Sequence, residues 1–493
     1  MPVFSKGTVE VLPMPFGIGL FAGGVIVTSS AFVGLIADGE EFATARSLET
    51  VLGLAAILAG LALYRAQHRD LRITRAGAMA MFVVGWVAFN SVAVAAFVLS
   101  GELGSTLDAI FEAVSASTTT GFTTVEDPAQ LSFALRFLRA AMPWATGLGV
   151  LMVSMGVLPA AIAGAELLPE RPLRGRAKIV TTSWVALRNI LGLYGLLTAA
   201  LVIGFAIAGM QGFDALTYAL STASTGGMSN HADSLGHFDS DAIEWIASLG
   251  MAAAGGNLLV VWWALKGRFD SVFRSTELRL YLSLLIAGFL AVRFGGSGLS
   301  SSDSAVAITS MLSTTGLRSA NWADGNDFVL AVLFVAAGIG AMSGSVGSGF
   351  RQARVARIAL EVRRSLQNLL TPSRTSVLLI DGKAVDETSL KLTYGYLWMH
   401  VFTLAGASVV LYAPQLDLIG TLSFALGLVS NVGVLVNDGV VVQHVELSGW
   451  TDAVASFAML LGRLSIYPVL LTLVGFFRWL SRFKPHRAIG ANV

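Results

Sequence analysis

The sequence predicts an all-α membrane protein of about ten transmembrane helices, each taking about 20 apolar residues to cross about 30 Å of hydrocarbon. Three observations predict it. The first is composition: of 493 residues, 55% are hydrophobic and 13% charged, with a mean hydropathy of +0.72, whereas soluble globular proteins carry about 25% charged residues. The second is a series of apolar runs near 15–37, 49–66, 76–100, 131–160, 184–210, 243–265, 278–295, 327–350, 393–413 and 453–479. The third is a unit that recurs after the third, fifth, seventh and ninth runs: a short amphipathic stretch, a Ser/Thr/Asn-Gly cluster, then the next span.

Composition also excludes function classes. A net charge of +1 without an acidic or basic tail gives no reason to expect nucleic acid. The absence of cysteine removes disulfides, Cys-ligated zinc and thiol catalysis, and the six histidines lack metal-ligand spacing. The N-terminus "MPVFSKGTVEVLPMPFGIGL" lacks the compact order of a cleaved signal peptide, so the first run reads as a retained span.

The first two runs form an N-terminal pair, residues 1–75. After the second run come Arg65, Arg69, Arg72 and Arg75. Alternate connections then carry Arg171, Arg174, Arg176 and Lys178; Lys266, Arg268 and Arg274; and Arg351, Arg354, Arg357, Arg363 and Arg364. The tail adds Arg478, Arg482, Lys484 and Arg487. Lys/Arg-rich connections mark the cytoplasmic side. The opposite connections are acidic, with Asp38, Glu102, Asp214, Asp303, Asp417 and Asp438 among them, and an acidic outer face concentrates cations.

Four units follow, at 76–183, 184–276, 277–391 and 392–493, each a helix–pore loop–helix repeat, and all four are expected around one pore. Their clusters read "STTTGFTT", "STASTGGMS", "LSTTGLRS" and "LVSNVGVLV", with glycines Gly121, Gly226, Gly316 and Gly433. Non-helical backbone at membrane depth is tolerated only where protein buries it or where it lines a water-filled path. Four loops facing one axis meet that condition, and their carbonyls can replace the hydration shell of a monovalent cation. Glycine permits the backbone angles that aim successive carbonyls together, and the short helix ahead of each loop turns its negative end toward the cation. The candidate ion-binding residues are Thr119, Thr120, Gly121 and Phe122; Ser224, Thr225, Gly226 and Gly227; Thr314, Thr315, Gly316 and Leu317; and Asn431, Val432, Gly433 and Val434. Taken singly, each cluster also reads as an ordinary capped turn.

Three further features stand out. "AGIGAMSGSVGSGF" (337–350) makes a poor continuous helix, because each Gly costs about 1 kcal/mol relative to Ala. It reads either as a break or as close helix packing through Gly340 and Gly344. Arg463, in "LGRLSIYP", is read as the charge well inside its span, facing a cavity or bonded to backbone carbonyls. Beyond the glycine segment, an amphipathic helix with Val355, Ile358, Val362, Leu366 and Leu369 on one face precedes a hairpin at Asp381-Gly382. On its residues alone that helix reads as interfacial on anionic lipid.

The order "TTTGF", "STGG", "TTGL", "SNVG", followed by "LLGRLSIYPVLL", resembles the Trk/Ktr/HKT superfamily of potassium transporters, and within it the TrkH/TrkG branch with two extra N-terminal spans. The resemblance covers about residues 15–480. It implies K⁺ as the transported ion, taken up through a four-loop selectivity filter across the cytoplasmic (inner) membrane of a prokaryote. It implies a gate in the glycine segment at Gly344, Ser345, Gly347, Ser348 and Gly349, with Arg463 as a barrier beneath the filter. It also implies a homodimer and a cytoplasmic nucleotide-binding regulator of the TrkA type. The fourth loop departs from relatives in lacking a Pro-Gly continuation.

Arg318 departs as well, two residues past the third glycine, where a guanidinium in the ion path repels cations. Either it turns away to pair with Asp303, Asp324 or Asp438, or it obstructs the outer mouth and the chain is a poorly conducting or regulatory homologue. Another alternative is the channel-like subunit of an ATP-driven potassium pump. Ionisable groups such as Glu49, Glu244 and His400 lie near span ends, which argues against coupling through an intramembrane carboxylate. The absence of a nucleophile–base pair or metal cluster argues against an enzyme.

Overall fold

The computed structural model describes residues 13–66, 75–154, 183–265, 267, 275–296, 298–323, 327–371, 379–381, 383–385, 387–412, 416–446 and 449–481. Arg69, Arg72, the basic connection around 171–178, Lys266, Arg268, Arg274, the tail from 482, Asp324 and Gly382 lie outside them. Among the described residues the protein is helical, with two short hairpins. Four helices are long and apolar enough to cross a membrane: Pro13–Ala37, Ala43–Ala66, Ala80–Ser100 and Arg188–Ile207. A fifth is added if the bent pair near the C-terminus is one span.

Helices α1 (Pro13–Ala37), α2 (Ala43–Ala66) and α3 (Arg75–Ser100) pack together at the N-terminus. Glycines set their approach. A Cβ on Gly19 would lie 2.1 Å from Gly85 O, and one on Gly24 2.5 Å from Gly53 O, so α1 meets both neighbours backbone to backbone, as small residues allow between membrane helices.

The rest of the chain alternates long helices with short ones. α4 (Thr106–Ser117) precedes α5 (Phe133–Ser154), and α6 (Ser183–Ile207) and α7 (Gly212–Ala223) precede α8 (Asp241–Gly255) and α9 (Leu258–Leu265). α10 (Thr276–Phe294) and α11 (Ser301–Ser313) lead to α12 (Asp327–Ile339) and α13 (Gln352–Leu370). After the hairpin β1 (Leu379–Ile380) and β2 (Lys383–Ala384) come α14 (Glu387–Val410) and α15 (Leu418–Ser430). The outer hairpin β3 (Leu435–Asn437) and β4 (Val440–Val442) follows, then α16 (Trp450–Arg463) and α17 (Ile466–Ser481). Helices α4, α7, α11 and α15 are the short ones expected before each loop. Side-chain caps start three of them: Ser105 and Ser300 accept from Asp108 N and Asp303 N at 3.1 and 3.0 Å, and Asp417 accepts from Gly420 N at 2.5 Å.

Three of the apolar runs are broken, and the break in 327–350 falls in the glycine segment, as one of its two readings expected. The run 243–265 breaks at Gly256 and Asn257, where the Asn257 carboxamide leaves its helix to donate to Ser343 O at 2.8 Å. The run 327–350 stops at Ile339, and the chain becomes helical again only at Gln352. The run 453–479 bends by 117° at Ser465, which holds φ +64°. Pro468 then falls in the first turn of α17, where helical N–H groups lack intrahelical acceptors anyway.

Two placements of charge also change. His400 lies in the middle of α14 rather than near an end, because that helix begins at Glu387. Arg463 is joined by Arg139, buried in α5 and paired with Glu112 of α4 at 3.1 Å. The amphipathic face of α13 is half covered: Val355 and Ile358 pack on the core, while Val362, Leu366 and Leu369 are exposed. The hairpin forms as expected, and Asp381 accepts from Thr276 N at 2.8 Å, capping α10.

Candidate ion pathway

The four loops share one backbone construction. Each short helix ends in a residue with left-handed φ: Thr119 (54°), Thr225 (52°), Thr314 (62°) and Asn431 (56°). The next N–H reaches back five residues, Thr120 to Ser115 O, Gly226 to Ser221 O, Thr315 to Ser310 O and Val432 to Gly427 O, at 2.7–2.9 Å. This is the Schellman closure of a helix C-terminus, used four times. It also fixes the register. The residues after the closure are Gly121, Gly227, Gly316 and Gly433, and the first three have φ of +91°, +69° and +86°. The second loop is therefore represented by Gly227 and not by Gly226, whose Cβ position lies 2.7 Å from the Pro143 side chain on α5.

The four loops touch in a closed cycle at these glycines, with loop 3 reached through Thr315. A Cβ on Gly121 would lie 2.9 Å from Gly227 Cα, and one on Gly227 2.3 Å from Thr315 O. One on Gly316 would lie 2.9 Å from Gly433 N, and one on Gly433 2.4 Å from Gly121 C. All sixteen candidate residues are buried. Their apolar side chains anchor the loops to the surrounding cores: Phe122 meets Phe424 edge-on at 5.1 Å, Leu317 joins the cluster around α7 and α8, and Val432 and Val434 join the cluster around α11 and α12. Ser224, still in the helix end, bonds back to Ser221 O. The Phe122 carbonyl is occupied by the Ser115 hydroxyl at 2.6 Å, so this member of the expected donor set is drawn toward α4. At the equivalent left-handed positions, Thr119 Oγ1 and Thr225 Oγ1 are buried without a protein partner, the condition of groups that take a ligand or water.

Against this ring lies the segment 340–351. Its neck is closed by Ala341 N donating to Ser348 O at 3.2 Å and Arg351 N to Ile339 O at 2.8 Å. Gly340, Gly344 and Gly349 have φ of +72°, +81° and +83°, so they serve backbone conformation rather than helix packing. The loop touches the ring directly: Ser348 N donates to Thr314 Oγ1 at 2.7 Å, and a Cβ on Gly347 would lie 2.4 Å from Ser313 O. Ser345 bonds within the loop to Met342 O. Arg463 Nη1 donates to Val346 O at 2.7 Å and to Ser348 Oγ at 2.9 Å, so the arginine is bonded to carbonyl oxygen of the broken segment. Glu277 of α10 accepts from Ser343 N at 2.5 Å.

Arg318 turns aside from the ring. Its Nη2 donates to Ala232 O at 2.7 Å and lies 3.9 Å from Asp233 Oδ1. Asp233 thus stands where Asp303, Asp324 or Asp438 was expected, because loop 3 pairs with the outer loop of the second unit through Leu235 N and Arg318 O at 2.8 Å. Asp303 instead accepts from Ser319 Oγ at 2.7 Å.

Sequence reasoning missed the brace behind loop 1. Glu112 accepts from Thr123 Oγ1 and from Thr124 N at 2.8 Å, while Arg139 holds its other oxygen. The available signal was Arg139 within an apolar span. It also missed Gln443 beyond β4, for which local sequence holds no signal.

Apolar helices of membrane-crossing length around a buried ring of backbone define a membrane protein organised about a central polar feature. The chain belongs to the TrkH family, described as cation transport protein, which matches residues 50–294 and 284–477; it is a transport protein and not an enzyme. It is 26% identical over 441 residues to the Trk system potassium uptake protein TrkG of Escherichia coli (strain K12), covering 86% of this chain and 90% of that one. It is 27% identical over 450 residues to the Trk system potassium uptake protein TrkH of Halomonas elongata, covering 88% and 92%. The fold is that of the crystal structure of the potassium transporter TrkH from Vibrio parahaemolyticus, with a TM-score of 0.81 at 24% identity over 94% of this chain and 98% of that one.

Proposed function

We propose that this chain takes up K⁺ across the cytoplasmic membrane of a prokaryote through one pathway per chain. Ten spans form four helix–loop–helix units behind an N-terminal pair, and the loops at 119–122, 225–228, 314–317 and 431–434 form the selectivity filter. The observation that carries this reading is the closed cycle of four loops, each leaving a helix end closed by the same five-residue bond. Carbonyls held by surrounding structure can replace a hydration shell, and four helix C-termini add negative potential. Segment 340–351, tied by Arg463, is the gate beneath. The chain would work as a homodimer with a TrkA-like regulator; the Trk system naming of its relatives supports a multi-component assembly. Permeation is driven by the membrane potential, which contributes about 2.3 kcal/mol per charge per 100 mV.

The test is growth and K⁺ uptake in a host lacking its own K⁺ uptake, with Rb⁺ flux in proteoliposomes. Expression should restore growth at low K⁺; folded protein that passes neither ion sinks the proposal. Arg318→Ser is the companion variant. Because the guanidinium rests on Ala232 O and Asp233, uptake should stay within about twofold, the scale of an exposed ion pair worth well under 1 kcal/mol. A large rise would make Arg318 an obstruction.

A further inference from the structure

Gln443 bonds to the ring, and it belongs to none of the four loops. It follows β4 and is 6% exposed. Its Nε2 donates to Gly316 O at 2.6 Å and to Gly227 O at 3.1 Å, while its Oε1 lies 3.4 Å from Ser229 Oγ. Two carbonyl acceptors fix the orientation of the carboxamide, because only its NH₂ end donates. The backbone is equally held: Thr123 N donates to Gln443 O at 3.1 Å, and Val445 N to Thr123 O at 2.9 Å. The segment after loop 4 is thereby tied to loops 1, 2 and 3 together.

Gly227 and Gly316 are register equivalents in neighbouring loops, so the oxygens that meet Nε2 are two members of one carbonyl ring. A dehydrated monovalent cation needs the same oxygens that this NH₂ group satisfies. We propose that Gln443 is an intrinsic competitor for the outermost cation position: its amide nitrogen occupies that position, and K⁺ arriving from outside must displace it. This residue then sets the external K⁺ concentration at which the pathway half-saturates. The inference rests on the filter reading above and adds to it an affinity determinant outside the loops.

The experiment is concentration-dependent K⁺ and Rb⁺ flux in proteoliposomes of the full chain, comparing wild type, Gln443→Ala and Gln443→Met. Methionine keeps the length of the side chain and removes its donors, so it decides the matter if the alanine variant fails to fold. Both variants should half-saturate at about tenfold lower K⁺, equivalent to about 1.4 kcal/mol, with K⁺ over Na⁺ discrimination retained. Unchanged half-saturation overturns the competitor role, and so does lost discrimination, which would make Gln443 a strut for the carbonyls. Gly227→Ser assayed alongside separates the two readings. If it alters selectivity while the Gln443 series is silent, only this inference falls; if both are silent, the filter assignment falls too.

Discussion

Gly227→Ser should lower K⁺ over Na⁺ discrimination about tenfold, a change equivalent to about 1.4 kcal/mol. Two independent costs point the same way. At φ +69° a residue with a Cβ is penalised by about 1–2 kcal/mol. The added atom would also lie 2.3 Å from Thr315 O, a backbone oxygen that moves only with loop 3. Both are relieved by displacing the carbonyls of the proposed filter. Gly121→Ser should behave alike, since its Cβ would lie 2.9 Å from Gly227 Cα at φ +91°. Gly226→Ser is the contrast: its Cβ meets the Pro143 side chain, so it should reduce thermal stability more than selectivity. Competition of Na⁺ with Rb⁺ flux measures this. Unchanged competition in folded Gly227→Ser would remove Gly227 from the filter.

That contrast shows what a linear sequence conveys. The four helix ends were legible because each short amphipathic stretch stops at a Ser/Thr/Asn-Gly cluster, whereas the left-handed φ of Thr119, Thr225 and Thr314 was not, since β-branched residues rarely adopt it. The register of loop 2 was not, because "STGG" offers two glycines and only the bond from Gly226 N to Ser221 O chooses between them. The break at 340–351 announced itself through the five glycines of 337–350, whereas the bend at Ser465 carried only Pro468, three residues on, as a local signal. Glu112 and Arg139 meet across 27 positions, and Gln443 meets Gly227 across 216. Pairings that distant follow from packing of whole units rather than from any local pattern.

Arg463→Ala should raise K⁺ flux about tenfold or more in the absence of any regulator. Hydrogen bonds from a charged donor contribute about 1.5–3 kcal/mol each, and Arg463 makes two with the segment, to Val346 O and Ser348 Oγ. Their loss reduces the preference for the packed loop by about 3 kcal/mol or more, sufficient for a hundredfold change in a two-state ratio. The flux gain is smaller because Thr314, Glu277 and Asn257 still hold the segment. Deleting Gly344–Gly349 removes the Val346 and Ser348 contacts and the Ser348–Thr314 bond together, so flux should rise further. The two variants also separate a gate from a scaffold. If 340–351 merely filled space under the ring, both changes would open a cavity and lower thermal stability with flux unchanged. If it obstructs permeation, flux rises even as stability falls, because the loop that shields the ring from the cytoplasmic side is the one released.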